Sequence, residues 1–258
     1  MNKELISVFI ITKNEQDRIA AAINSVKDIA DEILVIDSGS SDKTLEIACD
    51  LGAKTIYNKW QGYGPQKVFG ENLCKNKWIL NIDADEEVSG ELSEEIKRLF
   101  FNNLQDGSYG YKIKIVNRFF GEKKPKKLAY YYNQLRLYNK EYAGFKDSAV
   151  HDSVILKDSE NKNKIGQLKN IIAHQSFRSF EHWIEKINSY SSMQALDSFK
   201  KGKKPSILKI LFTPIWTFLK AYIIRRYFIY GFDGLIYSYI FAFGRVIKLI
   251  KARQMFVN

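Results

Sequence analysis

A chain of 258 residues with 45% hydrophobic and 27% charged side chains is long enough for one sizeable core, or for a domain with an appendage, and too apolar to be disordered throughout. Its net charge of +11 is unevenly placed: residues 1–199 hold 28 basic and 28 acidic side chains, whereas residues 200–258 hold 12 basic ones against Asp233 alone. That asymmetry points to a folded domain followed by a segment that meets something anionic.

Residues 5–12, LISVFIIT, predict a buried strand, and Ile19, Ala22, Ile23, Val26 and Ile29 follow at helical spacing. The strand starts within a few residues of the N-terminus, and Cys49 and Cys74 have no CxxC spacing, so a cytosolic, unexported protein is expected. Residues 32–37, EILVID, predict a second buried strand that breaks at Ser38-Gly39-Ser40-Ser41-Asp42. A helix carrying Leu45, Ile47, Ala48 and Leu51 comes next and is closed by Gly52. A short strand over 54–57, a Gly/Pro loop over 62–65 and a helix to about Cys74 lead to WILNIDADEE, residues 78–87. Short buried strands alternating with helices require a parallel sheet covered on both faces, with ligands at the carboxyl ends of the strands.

Beyond residue 104 the texture changes. YGYKIKIV (109–116) alternates, and short strands are expected near 135–138, 154–156 and 171–173, which together predict a mixed or antiparallel half-sheet. EKKPKK (122–127) reads either as a solvated hairpin or as a contact for an anionic acceptor. A long helix over 180–199 runs up to KKGKK (200–204), a hinge into the basic tail.

The stretch around which the chain is organised is WILNIDADEE. Its apolar run is too brief for a helix, and in a strand Asp83 and Asp85 point the same way where the strand gives out. Two carboxylates so placed suit Mg²⁺ or Mn²⁺, which take one or two protein carboxylates and leave the rest of the shell to phosphates and water. A lone D-x-D equally suits an acidic turn capping the helix that starts near Ser89. No GxGxxG and no GxxxxGK[ST] is present, so neither a dinucleotide fingerprint nor a P-loop accounts for the site.

VFIITKNE, EILVIDSGSSDKT, the GPQK segment and ILNIDADE, in this order and spacing, closely resemble the inverting family 2 glycosyltransferases of GT-A fold. AVHDSV, HQSFRSFEHWIEKINSYSSMQA and YGFDGLIYSYIFAF are similar to a bacterial subset that includes lipopolysaccharide-core β-1,4-glucosyltransferases. The resemblance implies a GT-A domain over residues 1–199, with a nucleotide-sugar half of about 1–104 and an acceptor half of about 105–199. It also implies that Thr12, Glu15 and Asp37 hold the nucleotide base and ribose, that Lys67 contacts the base or diphosphate, that Asp83 lies on the ribose side, and that Asp85 binds the metal. Two positions depart from the family pattern: Ser38 stands where the second acid of DDGS is usual, and Asp152 where the subset has Glu.

Inversion needs one carboxylate to take the acceptor hydroxyl's proton. Asp152, after Ala-Val-His at the start of a later strand, is the candidate base, with a surface turn as the alternative. His151 is a candidate metal ligand or loop-orienting group, while His174 and His182 are expected to be packing or helix-surface residues. The expected activity is transfer of a hexose, glucose from UDP-glucose, to a lipid-linked saccharide, with a divalent cation as cofactor. The alternatives are transfer to a polyprenyl phosphate and a non-catalytic, nucleotide-sensing membrane adaptor.

In residues 200–258 Lys and Arg are set among Trp, Tyr and Phe, a pattern suited to helices lying on an anionic membrane surface. Pro214, Lys209 and Lys220 are expected to interrupt the apolar runs so that none spans a bilayer. A helical lid is the alternative, and nucleic acid is disfavoured because no binding module accompanies the charge. The expected location is the inner face of the cell membrane.

Overall fold

The computed structural model describes residues 4–101, 107–119, 121–146 and 153–257. In chain order the elements are β1 (Ile6–Thr12), α1 (Ile19–Val26), β2 (Glu32–Asp37), α2 (Thr44–Asp50), β3 (Lys54–Tyr57), α3 (Tyr63–Leu73) and β4 (Trp78–Asp83). Next come β5 (Glu86–Val88), α4 (Gly90–Phe101), β6 (Gly110–Asn117), β7 (Tyr131–Asn139), β8 (Ala143–Phe145), β9 (Val154–Leu156), β10 (Ile165–His174), α5 (Phe180–Lys200), α6 (Ile207–Leu219) and α7 (Phe232–Gln254). They fall into two compact units, one of residues up to Val116 with Tyr131–Gln175, the other of Asn117–Tyr130 with the residues from Ser176 on.

In the first unit a mixed sheet has the strand order β3-β2-β1-β4-β7-β6-β10-β5. β1 pairs in parallel with β2 and β4, and β2 with β3. From β7 onward the pairings with recorded register, β4 with β7, β6 with β7 and β10 with β5, are antiparallel. All seven residues of β1 are buried, as a strand covered on both faces must be. Its side chains alternate accordingly. Ile6, Val8 and Ile10 join the core with Ile19, Ile23, Leu92 and Ile96 of α1 and α4, whereas Phe9 and Ile11 join the opposite layer with Ile36, Ile79, Tyr138 and Ala143. Gly70 lets α3 approach β1 closely, because a Cβ there would stand 2.7 Å from the Phe9 ring. This unit is the expected GT-A arrangement. β5 and β8, each three residues long, are too short to carry a hydrophobic period and were not expected from the sequence.

The second unit is built from α5, α6, α7 and a 3₁₀ turn at Tyr227–Tyr230, with α7 packed along both α5 and α6. Its core is aromatic: the Phe119 ring stacks on Tyr237 at a centroid distance of 4.2 Å and meets Tyr227 and Tyr230 edge-on. Lys126 from the basic loop donates from Nζ to the Ile229 carbonyl at 3.0 Å and lies 4.8 Å above the Tyr230 ring. That lysine is therefore tied to its own unit rather than fully solvated.

One expectation about the tail is overturned. α6 passes through Pro214 and continues past Lys220 in a π-helical turn, Lys220–Ile224. Hydroxyls supplement the backbone ladder around the proline: Thr213 donates to the Lys209 carbonyl at 2.6 Å and Thr217 to that of Thr213 at 2.7 Å. Ile207–Ile224 is thus one helical stretch of 18 residues with mean hydropathy 1.6, long and apolar enough by length and composition to cross a membrane.

Candidate active site

The carboxyl ends of β1, β2 and β4 lie side by side, because their register pairs Thr12 with Asp37 and Ile11 with Asp83. Residues expected to act together, though far apart in sequence, thus reach one edge of the sheet. Thr12 is buried, and its Oγ1 has no hydrogen-bond partner among the described residues. A buried hydroxyl left open at the end of a parallel strand is a polar group available to a ligand.

Asp37 is also buried, but its carboxylate is engaged by its own loop. Oδ2 accepts the Gly39 and Ser40 amides at 2.7 and 2.9 Å, while Oδ1 accepts the Ser40 hydroxyl. Gly39 takes a positive φ of 98° to close this turn. Ser38, where the family pattern has an acid, instead bonds back to the Thr12 carbonyl through both its amide and its hydroxyl. On the β1 side Asn14 has a φ of 56°, and its side chain accepts the Ser41 amide at 2.8 Å. The two strand-end loops are therefore cross-braced.

The D-x-D is the centre of a charge network. Asp83 Oδ1 stands 3.0 Å from Lys67 Nζ, and Lys67 is only 1% exposed. Asp83 Oδ2 stands 3.3 Å from Arg136, whose guanidinium also donates to Glu86 at 2.8 Å and to Asn81 Oδ1 at 2.8 Å. Asp85 Oδ1 is 3.4 Å from His174 Nε2, and its Oδ2 is 3.7 Å from Arg18. Arg18 in turn binds the Glu15 carboxylate and donates to the Gln175 carbonyl at 2.7 Å. Glu15, Lys67, Asp83 and Asp85 are so brought into one neighbourhood.

Burial alone would push these acids toward the neutral form. For Asp83 that push is overridden by the Lys67 and Arg136 cations, and its carboxyl lies well below the usual range. Asp85 is lowered as well, against its burial, chiefly by His174. Glu86, fully enclosed, goes the other way: burial raises it despite Arg136. His174 is raised against burial, first by Asp85. The site therefore presents two ionised aspartates on a braced strand end.

Could these groups hold a divalent cation? Among the described residues no three acid, histidine or cysteine side chains converge into a ready-made cage. One ionised carboxylate, Asp85, 14% exposed and next to an imidazole, fits the way Mg²⁺ and Mn²⁺ bind when substrate phosphates and water fill the shell. His151 and Asp152 lie outside the described residues.

Several members of the network were not singled out from the sequence. Asn81 interrupts an otherwise apolar strand, and Arg136 sits buried between Leu135 and Leu137. A polar residue in an apolar run was the available signal for both, since such a group must have a partner. His174 is not the packing residue expected, because it faces Asp85 across the sheet. His182 caps the start of α5, its Nδ1 accepting the Arg178 amide at 3.1 Å.

The sequence profile of glycosyl transferase family 2 matches residues 7–164, and the chain belongs to that family. An uncharacterized glycosyltransferase of Rickettsia bellii is 50% identical over 254 residues, covering 97% of this chain and 86% of its own. The lipopolysaccharide core biosynthesis glycosyltransferase LpsC of Rhizobium meliloti is 29% identical over 245 residues, covering 90% of this chain and 85% of its own. Among solved structures, residues 1–349 of S. aureus TarS match at 15% identity with a TM-score of 0.47, over 96% of this chain and 89% of that one.

Proposed function

We propose that the chain transfers a hexose with inversion, glucose from UDP-glucose, to a lipid-linked saccharide in the synthesis of lipopolysaccharide core or a related envelope glycan, at the cytoplasmic face of the cell membrane. The observation that carries this reading is the pair Asp83 and Asp85, kept ionised at the end of β4 by Lys67, Arg136 and His174. The relative LpsC, a glycosyltransferase of lipopolysaccharide core biosynthesis by name, supports the choice of acceptor class.

In this reading Thr12, Glu15 and the Asp37 loop receive the nucleoside, with the open Thr12 hydroxyl as one contact. Lys67 places a fixed cation beside the diphosphate, and Asp83 holds that lysine in position on the ribose side. Asp85 is the carboxylate that would hold Mg²⁺ or Mn²⁺; when bound, such a cation neutralises charge growing on the departing nucleoside diphosphate. Asp152 takes the proton from the acceptor hydroxyl as that oxygen bonds to the anomeric carbon and the bond to the diphosphate breaks. His151 is a further candidate ligand. The products are a glycoside of inverted configuration, UDP and the proton on Asp152.

The test is a thermal-shift screen of nucleotide sugars with and without Mn²⁺, followed by transfer assays to lipid-linked saccharides and to a polyprenyl phosphate. UDP-glucose with metal is expected to raise Tm, by about 2.7 kcal/mol of added stability at a hundred times Kd, and the product is expected to be β-linked. Asp152→Asn should lose about 10² to 10⁴ in turnover while keeping donor binding. A retained linkage, or no stabilisation by any nucleotide sugar, overturns the reading. Transfer only to polyprenyl phosphate corrects the acceptor, and donor binding without transfer leaves a nucleotide-sensing adaptor.

A further inference from the structure

The second unit leaves an apolar surface uncovered on α6. At about 100° per residue, Leu208, Leu211, Phe212, Ile215, Trp216 and Leu219 occupy a continuous arc of about 140° on one side of the helix. All six are 42–67% exposed. No residue of α6 is buried, although α6 lies along α7. A contiguous patch of this kind exceeds what soluble proteins ordinarily leave in water and marks a site of interaction.

Beside the arc, between α6 and α7, runs an apolar groove of about 520 Å³, with Pro214 and Phe218 on one side and Tyr239, Phe243 and Val246 on the other.

Charge decides what covers this face. Lys209 and Lys220 fall just beyond the Trp216 edge of the arc on the same helical projection. Lys200, Lys201, Lys203 and Lys204 precede the helix and Arg225 and Arg226 follow it, while Asp233 is the one acid in residues 200–258. Two copies meeting through this face would bring like charges together. A surface with anionic headgroups outside and hydrocarbon beneath matches both the basic rim and the apolar arc.

We propose that α6 docks the protein on an anionic lipid bilayer, lying in the plane of the interface with its apolar arc inserted, and that the groove beside it accommodates a lipid acyl chain. Although residues 207–224 are long and apolar enough to span, α7 carries Asp233, Arg245, Lys248, Lys251 and Arg253. A helix that stays packed along such a partner cannot cross the hydrocarbon without dragging those charges in or giving up its packing. The lysines at the arc's edge reach headgroups while Trp216 and Phe212 sit below them. The inference is independent of the sugar chemistry, because neither the arc nor its rim belongs to the strand-end site.

The experiment uses the full chain with vesicles of phosphatidylcholine, alone or mixed with phosphatidylglycerol, and with acyl chains brominated either near the headgroups or near the bilayer centre. Flotation should be at least about tenfold stronger on the anionic vesicles, and molar salt, where the Debye length is about 3 Å, should weaken it without abolishing it. Tryptophan emission should be quenched most by the shallow bromines, and that quenching should disappear in Trp216→Phe. The double variant Phe212→Glu/Trp216→Glu should lose flotation by at least about tenfold with an unchanged Tm, since both side chains are exposed. Equal flotation on neutral and anionic vesicles, or a double variant that floats like the parent, overturns the proposal. Quenching strongest at the bilayer centre overturns the in-plane placement. A lipid-free dimer that the double variant dissociates would make the arc a self-association surface instead.

Discussion

The strand-end site of the first unit and the α6 helix of the second break the usual inside-outside rule in opposite directions. At the end of β4 charged groups are drawn inward: Lys67, Arg136 and Glu86 are almost wholly enclosed, and each is tolerated because an opposite charge stands within about hydrogen-bond reach. On α6 apolar groups are pushed outward, with Leu208 and Phe212 more than 60% exposed among the described residues. Folding alone accounts for neither arrangement, since an apolar substitute inside and a polar one outside would each be easier to accommodate. Departures from local consistency of this sort collect where a protein meets something else. On the readings proposed above, the first would meet a charged small molecule and the second a lipid surface.

The largest effect that would break the comparison is expected at Asp85. If the inward charges serve the reaction, Asp85→Asn should remove several kcal/mol of charge stabilisation, which is at least about a hundredfold in kcat/KM. Its Tm should stay within a few degrees, because the side chain remains isosteric beside His174 and Arg18. Steady-state transfer rates and a melting curve give both numbers. Activity within a factor of a few of the parent would show that the acid is a structural partner of His174 and nothing more.

Next comes Arg136, which tests whether the network is held by charge pairing. Arg136→Met leaves Asp83, Glu86 and Asn81 without their shared donor. Breaking a buried pair by removing one partner costs about 3–5 kcal/mol. Adding Glu86→Gln removes the most enclosed of the stranded charges and should restore part of that loss. Urea unfolding of the two single variants and the double variant measures the coupling. A cost below about 1 kcal/mol for Arg136→Met would mean that water reaches the cluster and the pairing is incidental.

How much of this was legible in the sequence follows from which physical signals are local. The parallel half of the sheet was readable because β1, β2 and β4 are predominantly apolar runs separated by helical periods, and the D-x-D because it ends one of them. The antiparallel half was only partly readable. β7 alternates weakly through YYNQLRLYN, and only its last residues before Asn139 are consistently buried. The partners of the aspartates were hidden for a different reason: Arg136 and His174 reach Asp83 and Asp85 from 50 or more residues away, through pairings that no local pattern encodes. Local propensity makes Pro214 a breaker, yet α6 absorbs it near its middle, with the hydroxyls of Thr213 before it and Thr217 after it bonded to the Lys209 and Thr213 carbonyls.

The smallest expected effect lies at Glu71, and it isolates what the cations contribute. Glu71, on α3, is a partly buried carboxylate of the same unit, held mainly by neutral donors: its Oε2 accepts the Tyr138 hydroxyl at 2.6 Å and the Phe145 amide at 3.0 Å. Burial raises its carboxyl above the ordinary value, against those two hydrogen bonds and the more distant Lys157 and Lys140. Asp83 and Asp85 experience burial too but lie low, so a nearby cation or imidazole, rather than exposure, separates the two cases. The sign of the consequence is fixed by linkage. A carboxyl whose pKa is higher folded than unfolded contributes stability that is fully present below the unfolded value, about 4.3, and is lost as pH rises through the folded one. Glu71→Gln cannot titrate, so the stability of this variant relative to the parent should rise with pH from just above 4 up to the folded-state value of Glu71 and then level off. Any hydrogen-bond difference between the amide and the acid adds only a constant offset. Urea unfolding of both proteins across that pH range reads the slope. A difference that is flat, or that falls with pH, would mean that Lys140 and Lys157 hold Glu71 ionised after all, and that burial and cation pairing do not divide the acids of this sheet in the way the strand-end site implies.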